Sequence, residues 1–107
     1  MKILKPSLLQ AIVDEYGDEE QLLQAMGECG ELVAVIQNYL RSIKFGIKQT
    51  SLAEVLEEAV DVYFMLQQIR HIDPVLFDQL CEDKLKKVKE KLKNERRHEQ
   101  TNGNNGS

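Results

Sequence analysis

Four acidic residues stand in two pairs, Glu28 with Glu31 and Glu58 with Asp61, and the members of each pair are three positions apart. On a helix such residues project from the same side, so each pair presents two carboxylates together. Clustered carboxylates repel one another, and a hard divalent cation with oxygen ligands relieves that repulsion. The spacing therefore predicts a magnesium site, in which manganese could replace magnesium. The residues four positions further on, where Lys or Arg would form ordinary surface ion pairs, are Leu32, Val35, Val62 and Met65.

A solvated acidic surface and a di-iron site are the two alternatives to a magnesium site. Pairs with this spacing are common by chance in a chain with 18 acidic residues, and most acidic runs are solvated helix faces. A di-iron bundle would need Glu-x-x-His pairs. Neither His71 nor His98 stands three positions after one of these acids, so a di-iron site is disfavoured.

The elements that must position these acids are four helical segments, and no strand is predicted. Ser51 with Glu54 forms a capping-box pattern, and Asp73 before Pro74 is typical of a helix start. Gly17 and Gly46 mark turns, the second within a loop over 43–50. Asp18 with Gln21, and Ser7 with Gln10, are further capping patterns. The segments cover about 7–16, 19–42, 52–71 and 73–94.

Apolar residues recur at helical spacing and predict which faces pack together. The third segment carries further apolar residues, Phe64, Met65 and Ile69, away from its main apolar face, so it requires two neighbours. We therefore expect an all-α bundle of about four helices whose core is completed by oligomerisation. The main faces comprise Leu22, Met26, Cys29, Val33, Ile36 and Leu40 in the second segment, and Leu52, Val55, Leu56, Ala59, Tyr63 and Leu66 in the third.

Small residues leave one side of the second segment nearly bare. Gly27 and Gly30 lie in the middle of this helix, where each costs about 1 kcal/mol relative to Ala. Together with Ala34 they favour close helix packing, and room for a ligand beside the acids is the alternative.

Charge is distributed unevenly along the chain. Residues 14–61 carry eleven acids against three bases, whereas 84–97 carry eight bases against two acids, within a net charge of −4. Lys84, Lys87 and Lys91 follow helical spacing, and their ammonium groups suit phosphates. The alternative is a solvated helix face. The acidic total and the lack of aromatics in the basic run argue against nucleic-acid binding.

Length and composition suit one small domain. A chain of 107 residues with 42% hydrophobic residues fits a helical domain over 1–93, followed by a disordered polar tail over 94–107. No apolar run approaches the roughly 20 residues that cross a bilayer, and no secretory leader opens the sequence, so we expect a cytoplasmic protein. Cys29 and Cys81 are expected to be free and buried.

The acid pairs and their flanks resemble the MazG-like all-α nucleoside triphosphate pyrophosphohydrolases. The family pattern is E-x-x-E on one helix and E-x-x-D on the next, and here 26 residues separate Glu31 from Glu58. The segments GECGEL at 27–32 and EEAVDV at 57–62 are similar to the family's EECAEL and EEIADV. The resemblance covers roughly 16–93, including the basic segment 84–92.

The resemblance implies a fold, a reaction and a set of site residues. Such enzymes hydrolyse a nucleoside triphosphate to a monophosphate and pyrophosphate with magnesium, as homodimers or homotetramers of helical bundles. Lys84, Lys87 or Lys91 would hold the pyrophosphate, with Arg41 and Lys44 as weaker candidates. The metal ligands would be Glu28, Glu31, Glu58 and Asp61, and the general base Glu57 or Glu31.

The chain departs from the family pattern at Gly27, where many members have an acid. Because none of the four motif acids is replaced, the resemblance still implies activity. Two alternatives remain: a relative that binds nucleotides without hydrolysing them, and a non-catalytic helical adaptor with a solvated acidic face.

Overall fold

A computed structural model describes residues 4–47 and 50–105, with side chains up to residue 99, and this part of the chain is helical without strands. The helices are α1 (Pro6–Phe45), α2 (Leu52–Ile72) and α3 (Pro74–Asn105). The chain divides into two compact units, Met1–Ile72 and Asp73–Ser107. In the described ranges, no helix combines the length and the apolar character that a membrane span requires.

The first two predicted segments belong to one hydrogen-bonded helix with a break at Gly17. The backbone of Gly17 has φ 78° and ψ 163°, a non-helical conformation that glycine adopts easily because it has no Cβ. The predicted segment boundary therefore coincides with a real break, although residues 4–47 and 50–105 form three helices rather than four. α1 begins at Pro6, one residue before the predicted Ser7, and no side chain caps its first turn. Proline suits this position because it lacks an N–H that would go unpaired.

The turn between α1 and α2 forms as predicted at both of its ends. Gly46 ends α1 in the left-handed conformation, with φ 65°. The N–H of Ser51 donates to Glu54 Oε2 at 2.8 Å, and the N–H of Glu54 donates to Ser51 Oγ at 3.3 Å, so the capping box is confirmed. The predicted loop over 43–50 is shorter, because α1 continues to Phe45; Lys48 and Gln49 lie outside the described residues.

α1 packs against α2 through a different face from the predicted one. The more buried residues of α1 alternate at spacings of four and three, which is the pattern of a helix–helix seam. Phe64, Met65 and Ile69, predicted to face a second chain, are buried or half-buried instead. The seam residues are Gln21, Ala25, Glu28, Leu32, Val35, Tyr39 and Ser42 in α1, and Val55, Glu58, Val62, Met65 and Ile69 in α2.

Most of the predicted core face lies on the surface of this chain. On α1, the exposed fraction is 72% for Met26, 56% for Val33 and 58% for Leu40. On α2, Leu52 and Leu56 are also more than half exposed. Both helices carry two apolar stripes, and periodicity alone cannot say which stripe packs within the chain.

The described part of the second unit consists of α3 and its cap. The N–H of Leu76 donates to Asp73 Oδ1 at 3.0 Å, which confirms Asp73 as the helix cap before Pro74. Helix α3 continues to Asn105, so the structure shows helix where the composition predicted a disordered tail from 94. Glu, Arg and Gln, which fill most of 95–100, are good helix formers, and this propensity explains the longer helix.

Cys29 and Cys81 are free, as predicted, but both are exposed rather than buried. Cys29 belongs to the surface stripe of α1, and Cys81 lies on α3, where the side chains described after Phe77 are exposed. The expectation of burial was wrong because it assumed that these stripes pack within the chain.

Candidate metal centre

The seam between α1 and α2 places glutamates from both helices in one position. The helices run antiparallel, since Gln10 Oε1 near the start of α1 lies 3.1 Å from Nε2 of His71 near the end of α2. Glu28 follows Ala25 and precedes Leu32 on the α1 side of the seam, and Glu58 lies on the α2 side. Both carboxylates are therefore only partly exposed to solvent.

Three carboxylates converge at this point of the seam. Glu28, Glu31 and Glu58 each offer an oxygen, and these three oxygens lie within 4.8 Å of one another. Glu31 is the exposed member of this group, which we call the carboxylate cluster. Asp61 is exposed and outside the cluster, but its charge acts on both Glu28 and Glu58.

The environment of the cluster disfavours ionisation of its two inner carboxyls. Partial burial raises the pKa of Glu28 and of Glu58 above the ordinary value of 4.5. The negative charges of Glu31 and Asp61 raise both pKa values further, and a hydrogen bond with Glu31 acts in the same direction. The folded, metal-free chain therefore binds protons at Glu28 and Glu58 more tightly than the unfolded chain does.

Two oxygen atoms of the cluster have no hydrogen-bond partner among the residues that the structure describes. Glu28 Oε2 and Glu58 Oε2 are buried, and neither forms a hydrogen bond. A buried acceptor without a donor costs stability, and for a carboxylate the cost is larger. Oxygen donors of this kind, partly desolvated and mutually repelling, are what Mg²⁺ or Mn²⁺ binds. The donor set of the cluster thus fits a hard divalent cation.

We expect the metal-free protein to lose stability as the pH rises from 4.5 through the raised pKa values of Glu28 and Glu58. The sign follows because the folded state binds these protons more tightly than the unfolded chain. A Glu58→Gln variant lacks part of this dependence, so its melting temperature should increasingly exceed that of the natural chain towards neutral pH. Melting curves recorded in a chelator measure the difference in melting temperature between the two proteins. A difference that shrinks as the pH rises would contradict the raised pKa of Glu58.

The glycines beside the cluster do not pack closely within the chain. A Cβ added to Gly27 or Gly30 would meet no heavy atom within 4 Å. The sequence favoured close helix packing at these glycines; within the chain that interpretation is wrong, and the surface next to Glu31 is open. Open space beside three carboxylates leaves room for a polyphosphate or a second copy.

We predict that Gly27→Ala and Gly30→Ala each raise the free energy of unfolding by about 0.5–1 kcal/mol, because each removes the entropic cost of a helical glycine without a clash. Urea unfolding at equilibrium measures this change. A loss of stability in either variant would contradict the prediction and would show that this surface is covered in solution.

The other predicted site residues are distributed over both units. Lys84, Lys87 and Lys91 lie exposed on α3 in the second unit, and their predicted role with phosphate stays a prediction. Arg41 and Lys44 are exposed near the end of α1, where Lys44 Nζ lies 5.6 Å from the centre of the Phe45 ring.

Glu57, the other predicted general base, is exposed on α2 immediately before Glu58. The side chains of consecutive residues in a helix are rotated by about 100°, so the side chain of Glu57 lies at the edge of the seam and not within it. A base in this position has access to solvent and stays outside the carboxylate cluster.

One residue of the seam, Gln21, is not predicted by the apolar pattern. The sequence places it only in a capping box with Asp18, yet it is fully buried at 1% exposure. The signal that could have found it is the alternating spacing of the seam, which leads from Glu28 through Ala25 to Gln21. The sequence analysis did not identify this spacing because the apolar stripe through Leu22 and Met26 gives a stronger pattern.

Comparisons with protein-family models, with curated proteins and with solved structures found no match to this chain.

Proposed function

We propose that this chain is a magnesium-dependent nucleoside triphosphate pyrophosphohydrolase of the MazG-like type, which converts a (d)NTP and water to a (d)NMP and pyrophosphate. The observation that carries the proposal is the carboxylate cluster, with buried oxygens of Glu28 and Glu58 that lack partners. A solvated acidic face would leave its carboxylates apart and hydrated. The motif flanks at 27–32 and 57–62 connect that metal centre to this reaction.

Each acid has a distinct role in the proposed reaction. Glu28, Glu31 and Glu58 would hold the cation, with Asp61 as a fourth ligand from the same side of α2. Bound Mg²⁺ supplies positive charge to the phosphate oxygens and lowers the pKa of a coordinated water. Glu57, outside the cluster, would accept the proton from the attacking water.

The three lysines of α3 are proposed to bind the phosphates that leave as pyrophosphate. Lys84, Lys87 and Lys91 are exposed and share one side of their helix. Ammonium groups in such a row offer positive charge along a polyphosphate. Their contribution in this proposal is to substrate affinity.

A panel of nucleoside triphosphates tests the proposal. With Mg²⁺ present, at least one nucleotide should yield pyrophosphate and a monophosphate in equal amounts. Release of inorganic phosphate alone, or no product from any nucleotide, would contradict it. A double substitution of Glu28 and Glu58 by Gln serves as the matched control for contaminating activity.

One observation favours the alternative of a helical adaptor or oligomerisation module. The surface stripe of α1, which includes Met26, Val33 and Leu40, is too apolar to be a solvated face. An adaptor would use this stripe without any need for a cation. Stabilisation by Mg²⁺ that depends on Glu58 distinguishes the enzyme from the adaptor.

We predict that the chain forms a homodimer or homotetramer at micromolar concentration, because its exposed apolar stripes recur at the spacing of a helix–helix seam. Light scattering coupled to gel filtration should give at least twice the mass of one chain. Charges placed on the stripe, as in Val33→Glu with Leu40→Glu, should reduce that mass. A monomer for the natural chain would contradict the prediction.

A further inference from the structure

Gln21 is the most deeply buried side chain in the described part of the molecule, and it is polar. Only 1% of it is exposed, and its Oε1 is buried without a hydrogen-bond partner. An unpaired buried acceptor destabilises a folded protein, whereas Met would fill a similar volume at no such cost. A group that lowers stability at one point of a seam is best explained by a function at that point.

Gln21 lies on the same side of α1 as the carboxylate cluster and close to it. Gln21 lies two helical turns before Glu28 on the same side of α1, about 10 Å along the helix axis. On α2, Met65 lies two turns beyond Glu58 and is 5% exposed. Because the helices run antiparallel, both residues lie on the side of the cluster away from the loop between α1 and α2.

A hydrogen-bond acceptor and an apolar side chain at this distance from a cation site could bind the base of a nucleotide whose phosphates lie at the cation. Sites for planar heterocycles combine apolar walls with a few polar groups that set orientation. Every common nucleobase carries an N–H donor on its pairing edge. We propose that Oε1 of Gln21 accepts a hydrogen bond from that edge while the phosphates lie at the carboxylate cluster; this inference rests on the proposed function.

Access to Gln21 requires the seam to open. Gly17, four residues earlier, breaks α1 and separates the segment Pro6–Tyr16 from the remainder of the helix. Two polar contacts tie the start of the chain to α2: the N–H of Leu4 donates to Gln67 Oε1 at 2.7 Å, and His71 lies 3.1 Å from Gln10. Admission of the base would require release of these contacts and of the Leu9 side chain, which is 5% exposed.

Affinity for nucleotide analogues tests the assignment independently of hydrolysis. The probes are α,β-methylene triphosphates of the four common bases, titrated calorimetrically with Mg²⁺ into the natural chain and into Gln21→Met. We expect the variant to lose about tenfold in affinity for each analogue that the natural chain binds, the factor of one net hydrogen bond. The variant should also melt at a higher temperature without nucleotide.

Two further variants keep the test decisive. Gln24→Met, an exposed amide on α1, should bind like the natural chain, and Gln21→Asn substitutes for Gln21→Met if the latter does not fold. Unchanged affinity of the folded Gln21 variant for the analogues that the natural chain binds overturns the inference alone. If none of the four analogues binds, both the role of Gln21 and the proposed function are overturned. If the analogues bind but natural nucleotides are not hydrolysed, only the proposed function is overturned.

Discussion

Glu58→Gln should lower the rate of pyrophosphate release by about a thousandfold or more while the chain stays folded. The substitution keeps the shape of the side chain but removes one anionic ligand from the carboxylate cluster. Metal ions contribute several kcal/mol to phosphoryl chemistry, and each 1.36 kcal/mol changes the rate tenfold. Initial rates with saturating Mg²⁺ measure the loss, and circular dichroism checks the fold.

The same substitution should raise the melting temperature of the metal-free protein. Glu58 is half-buried, one of its oxygens has no partner, and the charges of its neighbours repel it. Gln removes that repulsion. Glu19→Gln, an exposed acid on α1, is the matched control and should change neither the rate nor the melting temperature. A destabilised Glu58→Gln would contradict this account, because it would show that the acid has a structural partner.

Mg²⁺ should stabilise the natural chain strongly. A cation at a hundredfold excess over its dissociation constant adds about 2.7 kcal/mol to the free energy of unfolding if it binds the folded state alone. For a domain of this size, that corresponds to an increase of about 10–20 °C in melting temperature. Differential scanning calorimetry across a Mg²⁺ titration measures the increase.

Two controls distinguish site binding from screening of an acidic surface. KCl at matched ionic strength should reproduce little of the increase, since screening by monovalent ions affects exposed charges generally. Glu28→Gln should reduce the response to Mg²⁺, because it removes a ligand. An equal increase with KCl, or an undiminished response in the variant, would mean that the cluster is only a solvated acidic face.

Local signals in the sequence predicted much of the fold. The capping box at Ser51 and Glu54, the cap at Asp73 and the break at Gly17 depend on contacts within a few residues. The spacing of each acid pair is local in the same way, because three positions of helix fix which side both carboxylates share. These features need no knowledge of tertiary packing.

The choice of the packing face could not be predicted in this way. Helix α1 carries a strong apolar stripe through Met26 and Val33 and a weaker stripe through Ala25 and Leu32, and the weaker one forms the seam. Periodicity ranks stripes by apolar content, whereas packing within a chain also depends on the partner helix and on contacts between chains. Gln21 is buried because it lies on the weaker stripe, and apolar periodicity therefore could not predict its burial.

A crystal structure of the protein grown with Mn²⁺, with anomalous differences recorded for the metal, would show whether the carboxylate cluster binds a divalent cation. We expect a manganese peak about 2.1 Å from carboxylate oxygens of Glu28, Glu31 and Glu58. A map in which these three side chains surround only ordered water, or in which manganese binds elsewhere on the chain, would contradict this expectation.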